Sequence, residues 1–193
     1  MSFGVRSFSL VVGLFLFASP AFAGPIAVDT YYEFGFGVAG DPVTGCDPDD
    51  PAGPFCIPSS GTPTTFLDAP AWTFTSGATG STLSVTDVFL SGDRFQIFDF
   101  GASIGLTSAF VADTDCGDDP VPCLADPGMS HGVFALASGA HSLTIVPVLS
   151  DGGGSGYLFL QDGGGPTAVP EPATLLLVAT GAGTALYRRR RHS

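Results

Sequence analysis

Between residues 24 and 168 the apolar side chains occur in short runs separated by glycine, aspartate and proline. In the first run, every second residue from 32 to 38 is apolar and Glu33 lies between two of them, which is the period of a strand with one buried face. No run in this region shows the 3.6-residue period of a helix. The same criteria predict seven further strands, at residues 71–75, 81–90, 94–100, 103–107, 132–136, 142–148 and 157–160.

Eight short strands with turn residues between them indicate an all-β domain, and the sequence predicts an antiparallel β-sandwich of the jelly-roll type over residues 24–165. The order of the strands in the sheets does not follow from one sequence.

The charge is distributed very unevenly along the chain. Residues 24–168 hold 17 of the 18 acids and a single base, Arg94, so this region carries a net charge of −16, and lysine is absent from the whole chain. Such a surface repels phosphate backbones and anionic lipid headgroups. The composition therefore excludes nucleic acid as a partner.

Residues 1–23 have the layout of a secretory signal peptide. Arg6 supplies the positive charge, residues 8–17 form the apolar stretch, and Ala21 and Ala23 are the small residues expected before a cleavage site. An uncleaved anchor is the alternative, but about ten apolar residues fall well short of the roughly 20 that span a bilayer. We expect signal peptidase to cleave after Ala23, so that the domain folds outside the cytoplasm.

The cysteine content agrees with export, because an even number of cysteines can pair in an oxidising compartment. Three connectivities are possible, and the short spacings within each half of the set favour local pairing. A zinc site would require C-x2-4-C spacing, which neither pair has. We expect bridges between Cys46 and Cys56 and between Cys116 and Cys123.

The last 25 residues combine a rigid motif, an apolar run and a basic cluster. The run at residues 173–187 would be about 22 Å long as a helix, shorter than the roughly 30 Å hydrocarbon core. It predicts a short, marginal transmembrane helix whose basic end remains in the cytoplasm. The motif residues are Val169, Pro170, Glu171 and Pro172, and the basic residues are Arg188, Arg189, Arg190 and Arg191.

These features, in this order at the end of a chain with a signal peptide, resemble the PEP-CTERM sorting signal of Gram-negative bacteria. The resemblance implies recognition by an exosortase, a membrane-embedded cysteine transpeptidase, after transient insertion in the inner membrane. It further implies removal of the tail and delivery to the cell surface or to an exopolysaccharide matrix. A plain single-pass anchor is the alternative. Residues 85–108 also resemble ectodomains that recur in PEP-CTERM proteins, and more weakly CUB-like jelly rolls, without implying an activity.

Two acidic loops lie beside the cysteines and offer candidate Ca²⁺ ligands, because Ca²⁺ prefers carboxylate and carbonyl oxygens. The spacing does not follow the EF-hand order, since Gly117 stands where a third ligand is needed. A solvated acidic loop is the simpler interpretation, and no other cofactor is predicted. The candidates are Asp47, Asp49 and Asp50 in the first loop and Asp113, Asp115, Asp118 and Asp119 in the second.

A hydrolase is the weakest alternative. Two Gly-x-Ser-x-Gly matches centre on Ser103 and Ser130, but neither lies between a predicted strand and a predicted helix, as a nucleophile elbow requires. The neighbouring His131 points away from Ser130 on an extended chain, and His141 is expected at the surface. Trp72 and Tyr157 are candidate sugar-stacking aromatics, with burial of Trp72 in the core favoured.

The sequence thus predicts an exported, non-enzymatic surface or matrix protein, processed by an exosortase and associated with exopolysaccharide or biofilm. A calcium-dependent carbohydrate-binding module is the first alternative, and a serine hydrolase is the second.

Overall fold

A computed structural model describes residues 24–46, 56–150 and 152–163 of the chain. The predicted signal peptide and the predicted C-terminal helix lie outside these residues, and within them no helix is long and apolar enough to cross a bilayer. The elements are β1 (Tyr31–Phe36), β2 (Thr44–Gly45), β3 (Thr64–Phe66), β4 (Trp72–Ser76), β5 (Ser81–Asp87), β6 (Arg94–Asp99), β7 (Ala102–Leu106), α1 (Pro120–Ala125), β8 (His131–Leu136), β9 (Gly139–Leu149) and β10 (Gly154–Asp162).

Eight of these strands form a jelly roll. The larger sheet has the order β2-β1-β10-β5-β8, with β3 also paired to β1, and the smaller sheet has the order β4-β9-β6-β7. The antiparallel pairs β1/β10, β4/β9, β5/β8 and β6/β7 nest within one another along the chain, so the domain is one long hairpin folded over into two sheets. The predicted all-β sandwich is confirmed, and the structure adds the strand order.

Each of the eight predicted strands overlaps one strand of the jelly roll, with ends that differ by a few residues. The short strands β2 and β3 and the helix α1 were not predicted. Helix α1 has only six residues, too few to show a period. Its start depends instead on Asp119, whose side chain accepts a hydrogen bond from the Val121 N–H, and on Pro120 in the first turn.

The core lies between the two sheets and is centred on aromatic rings. Phe34 of β1, Trp72 of β4 and Phe95 of β6 are completely buried, and the Phe34 and Phe95 rings meet edge to face with centroids 5.5 Å apart. Burying a side chain of this size contributes roughly 2 to 3 kcal/mol. The Trp72 indole N–H donates to the Asp68 carbonyl oxygen at 2.8 Å, so its polar atom is satisfied. Trp72 is a core residue, as the sequence favoured.

The outer face of the larger sheet is also covered. A second apolar cluster packs there around Val88, Cys123 and Tyr157. Glu33, which lies opposite Tyr157 in the register of β1 and β10, is completely buried. The prediction that β1 exposes one face to solvent was therefore wrong. The cause is tertiary, because segments distant in the sequence pack over this face.

Both disulfides lie in the chain segments that cover this face. The structure joins Cys46 to Cys56, with Cα atoms 5.9 Å apart, and Cys116 to Cys123, with Cα atoms 5.1 Å apart. This is the local pairing that the spacing favours. Cys123 lies in α1 and is fully buried, so the second bridge ties the helix to the preceding loop.

We expect removal of the second bridge to destabilise the domain moderately. The double variant Cys116→Ser/Cys123→Ser should lose about 2 kcal/mol of unfolding free energy, because a short covalent loop no longer restricts the unfolded chain. Urea unfolding monitored by Trp72 fluorescence measures the change. The same variant treated with reductant lacks the Cys46–Cys56 bridge as well, and so shows the contribution of that bridge separately. An unchanged midpoint, or four free thiols in the exported wild-type protein, would contradict the assignment.

Candidate functional site

The acidic residues of the second disulfide loop hold neighbouring backbone in place. Asp118 accepts hydrogen bonds from the Ser60 N–H at 2.9 Å and from the Ser60 hydroxyl at 2.8 Å. Asp119 accepts from Val121 N–H with one oxygen and from Thr62 N–H, at 3.3 Å, with the other. These two carboxylates therefore attach the segment after Cys56 to the start of α1.

The other candidate calcium ligands are placed differently. Asp115 accepts a hydrogen bond from the Gly117 N–H at 2.9 Å, which closes a tight turn, and Asp113 has a left-handed backbone with φ of 61°. The candidates of the first acidic loop, Asp47, Asp49 and Asp50, lie outside the described residues. Within the described ranges, one group of three potential ligand atoms comes close together, from Glu33, Cys46 and Cys56. Its two sulfurs form a disulfide and are not thiolates, so this group does not suit a metal ion.

The buried carboxyl group of Glu33 is an electrostatic feature that the sequence did not reveal. One of its oxygens accepts a hydrogen bond from the Ile57 N–H at 3.2 Å, while the other accepts none from the described residues. Burial, together with the negative charge of Asp118, raises the pKa of Glu33 to about 7, against the opposing effect of the hydrogen bonds from Ile57 and Ser155. Glu33 is therefore largely neutral in mildly acidic solution.

A second buried acid lies at the end of β5. Asp87 accepts hydrogen bonds from the Val88 N–H at 3.0 Å and the Asp93 N–H at 3.3 Å, which close the loop between β5 and β6. Burial and the nearby Asp93 carboxylate raise the pKa of Asp87 to about 8. Burial also raises the pKa of Tyr157, whose hydroxyl donates to the Asp118 carbonyl oxygen at 3.0 Å. Tyr157 is thus a structural residue and is too buried for a sugar to stack on it.

These buried acids predict that the domain is more stable in acid than in alkali. A carboxyl group whose pKa is higher in the folded state stabilises that state fully below its unfolded pKa and loses the effect as the pH rises to the folded pKa. For Glu33 the window runs from about 4.5 to about 7. The unfolding free energy should therefore fall between pH 5 and pH 8, and Glu33→Gln should reduce this fall by roughly 2 kcal/mol.

Chemical denaturation at several pH values measures this effect. The variant Asp41→Asn, which removes an exposed carboxylate, is the matched control and should keep the wild-type dependence. If the unfolding free energy falls by the same amount between pH 5 and pH 8 in wild type and in Glu33→Gln, Glu33 does not cause the pH dependence.

The two serines of the Gly-x-Ser-x-Gly matches have structural environments. Ser103 lies on the edge strand β7 and its hydroxyl accepts a hydrogen bond from Gln96. Ser130 is buried, donates to the Ser108 carbonyl oxygen at 2.8 Å and lies 2.7 Å from the Thr107 hydroxyl. The His131 ring nitrogen Nδ1 lies 3.1 Å from the Met129 carbonyl oxygen. The structure does not bring these groups together as a nucleophile and its base.

His141 is not a surface residue, so that expectation was wrong. Only 6% of it is exposed, because β9 turns it towards the inside of the sandwich. Its Nδ1 lies 2.8 Å from the Asp99 carboxylate and its Nε2 lies 2.9 Å from the Ala137 carbonyl oxygen. Both ring nitrogens of His141 therefore face a hydrogen-bond acceptor. The second oxygen of Asp99 accepts from the Ser142 N–H, which fixes the carboxylate as well.

The hydrogen-bonded pair of His141 and Asp99 lies beside an open groove of about 870 Å³, which we call the terminal groove. It is lined by residues 25–28 near the start of the described chain, by the end of β10, and by the turn between β6 and β7. The Phe74 ring stacks on His141 at 4.9 Å between centroids and forms part of the groove wall. Phe100 also lines the groove and is 69% exposed. Sequence reasoning missed both aromatic residues as site candidates. The signal for Phe100 was its position directly before a glycine in a predicted turn, where Asn is the usual residue.

The comparisons with known proteins concern the C-terminal tail. Residues 168–191 match the PEP-CTERM protein-sorting motif. The chain carries a PEP-CTERM sorting signal. This signal makes the protein an exosortase substrate and implies secretion across the membrane, through a membrane-anchored precursor, in a Gram-negative bacterium. Searches of curated proteins and of solved structures found no significant match.

The motif residues Val169, Pro170, Glu171 and Pro172 and the four terminal arginines fall inside this match, although they lie outside the described residues. Ala21 and Ala23, at the predicted signal cleavage site, also lie outside them, so cleavage there stays a prediction.

Proposed function

We propose that the mature protein is a non-enzymatic interaction module that an exosortase delivers to the cell surface or to the extracellular matrix, where it associates with exopolysaccharide. The observation that carries this proposal is the sorting signal at residues 168–191, joined to a jelly-roll domain by a segment of only a few residues. Signal peptidase would release the N-terminus after Ala23, and the exosortase would remove the tail.

Several contacts in the domain support a binding role over catalysis. The hydroxyl of Ser130 is engaged by Ser108 and Thr107, and both ring nitrogens of His141 are engaged by acceptors. A base that must accept a proton needs a free nitrogen, which this arrangement does not offer.

The sorting step predicts a clear phenotype for the motif. Changing Pro170, Glu171 and Pro172 together to alanine leaves the apolar run and the arginines intact, so export should proceed while sorting stalls. The variant should accumulate as a larger form in the inner membrane. Cell fractionation followed by mass spectrometry of the released protein measures this. Alanine at Gly164, Gly165 and Thr167 is the matched control, because it changes the adjoining segment and spares the motif.

The wild-type protein released from the surface should lack the four terminal arginines. An intact C-terminus through Ser193 in that material would refute tail removal and favour a permanent anchor.

The calcium-dependent alternative makes a different prediction. Because Asp115, Asp118 and Asp119 already accept backbone hydrogen bonds, we expect millimolar Ca²⁺ and EDTA to leave the thermal midpoint of the released protein unchanged. A ligand that binds only the folded state would raise the midpoint. A rise with Ca²⁺ that EDTA reverses, absent in Asp118→Asn, would therefore establish a metal site in this loop.

A further inference from the structure

We propose that the terminal groove is a binding site for an uncharged polysaccharide chain, with Phe100 as the residue that stacks on a sugar ring. This inference rests on the proposed function and gives it a location and a ligand class. It moves the carbohydrate site away from Trp72 and Tyr157, both of which are buried.

Phe100 combines a strained backbone with an exposed side chain. Phe100 and Gly101 form the turn between β6 and β7, with φ angles of 47° and 77°. Two positive φ angles in a two-residue turn favour Asn-Gly, and a bulky side chain at the first position is strained. The same residue leaves a large aromatic ring in water. Strain and exposure at one residue point to a role other than folding.

The stacked rings of Phe74 and His141 form a rigid wall in the same groove. Phe74 stacks on His141 with 22° between the ring planes, and Asp99 and the Ala137 carbonyl oxygen fix both nitrogens of His141. The turn that carries Phe100 is tied to this wall, because the Phe100 N–H donates to the Ser142 carbonyl oxygen at 2.9 Å. The Phe74 ring and the backbone of Phe100 are therefore held in place before a ligand arrives, which lowers the entropic cost of binding.

The chemistry of the residues that line the groove indicates the class of ligand. Thr73 and Thr75 line the groove together with apolar residues 25–28, and this mixture of hydroxyl-bearing and apolar residues suits sugar rings, which have hydroxyls at the edge and C–H groups on the face. The ionisable side chains in the lining are His141, which is paired with Asp99, and Asp162. No unpaired cation in the lining is available to bind a carboxylate or sulfate. The ligand class is therefore a neutral glycan.

The groove is also large enough for such a ligand. Its volume of about 870 Å³ lies in the upper part of the usual range for ligand sites. It is a groove open to solvent and not an enclosed cavity, which suits a segment of a polymer chain.

The test measures glycan binding by the processed wild-type protein released from cells. The probes are cellohexaose, laminarihexaose, maltohexaose and the neutral polysaccharide fraction extracted from the producing cells, and hexagalacturonic acid is the anionic comparison. We expect at least one neutral probe to bind by isothermal titration calorimetry and the anionic one to bind much more weakly.

The decisive variant is Phe100→Asn. Asn suits the positive φ of the turn, so the thermal midpoint should stay the same or rise by roughly 3 °C, whereas neutral glycan affinity should fall about tenfold. Phe100→Tyr keeps the ring and should keep binding. Val133→Thr alters another exposed apolar residue, 64% exposed on β8, and is the matched control. Wild-type affinity in Phe100→Asn, no binding of any neutral probe, or equal binding of hexagalacturonic acid would overturn the proposal.

Failure of this inference differs from failure of the proposed function. Phe100→Asn should be exported, processed and found at the surface like wild type, and only its retention by matrix polysaccharide should fall. If the polysaccharide fraction holds both proteins equally, the association stands and the groove is not its site. If wild type never reaches the surface or matrix, the proposed function itself fails.

Discussion

The contact between the two sheets at Phe34, Trp72 and Phe95 is the interaction on which the rest of this domain depends. The three rings come from β1, β4 and β6, which are distant in the sequence, and the Phe34 ring lies 6.2 Å from Trp72 and 5.5 Å from Phe95 between centroids. Their burial holds the folded-over hairpin closed, since neither sheet can shield its apolar face alone. Closure also sets the terminal groove, because β4 and β9, which carry Phe74 and His141, belong to the smaller sheet, whereas the end of β10 belongs to the larger sheet.

The outer face of the larger sheet depends on a different kind of packing. That surface, which contains Glu33 and Tyr157, is covered by the two disulfides, by the segment that follows Cys56 and by α1, whose start Asp118 and Asp119 attach to that segment. Acidic side chains in this region accept backbone hydrogen bonds and so replace contacts that a longer helix or another strand would supply. This packing leaves the carboxyl group of Glu33 buried, and its burial is less unfavourable when it is protonated.

The strands and the sorting signal were predictable because both are local in the sequence. Alternation and turn residues located all eight jelly-roll strands, and the motif, apolar run and arginines at the C-terminus form one linear pattern. Long-range packing was not accessible in this way. Glu33 was expected to face water because its neighbours in the sequence contain no sign of the loops that cover it. His141 was expected at the surface because it begins a strand directly after a turn, and its partner Asp99 lies 42 residues away in the sequence. The groove joins five separate segments and has no local signature beyond the Phe-Gly turn.

The position of β10 has a mechanical consequence. This strand is the last one before the sorting tail, and it lies inside the larger sheet, with β1 on one side and β5 on the other. A pull on the tail is therefore borne by two hydrogen-bonded ladders, one of seven and one of six residue pairs, which must slide together. A tail attached to an edge strand would load a single ladder that could open from one end. The jelly-roll order thus distributes a force on the tail over two strand pairs at the point where the tail joins the domain.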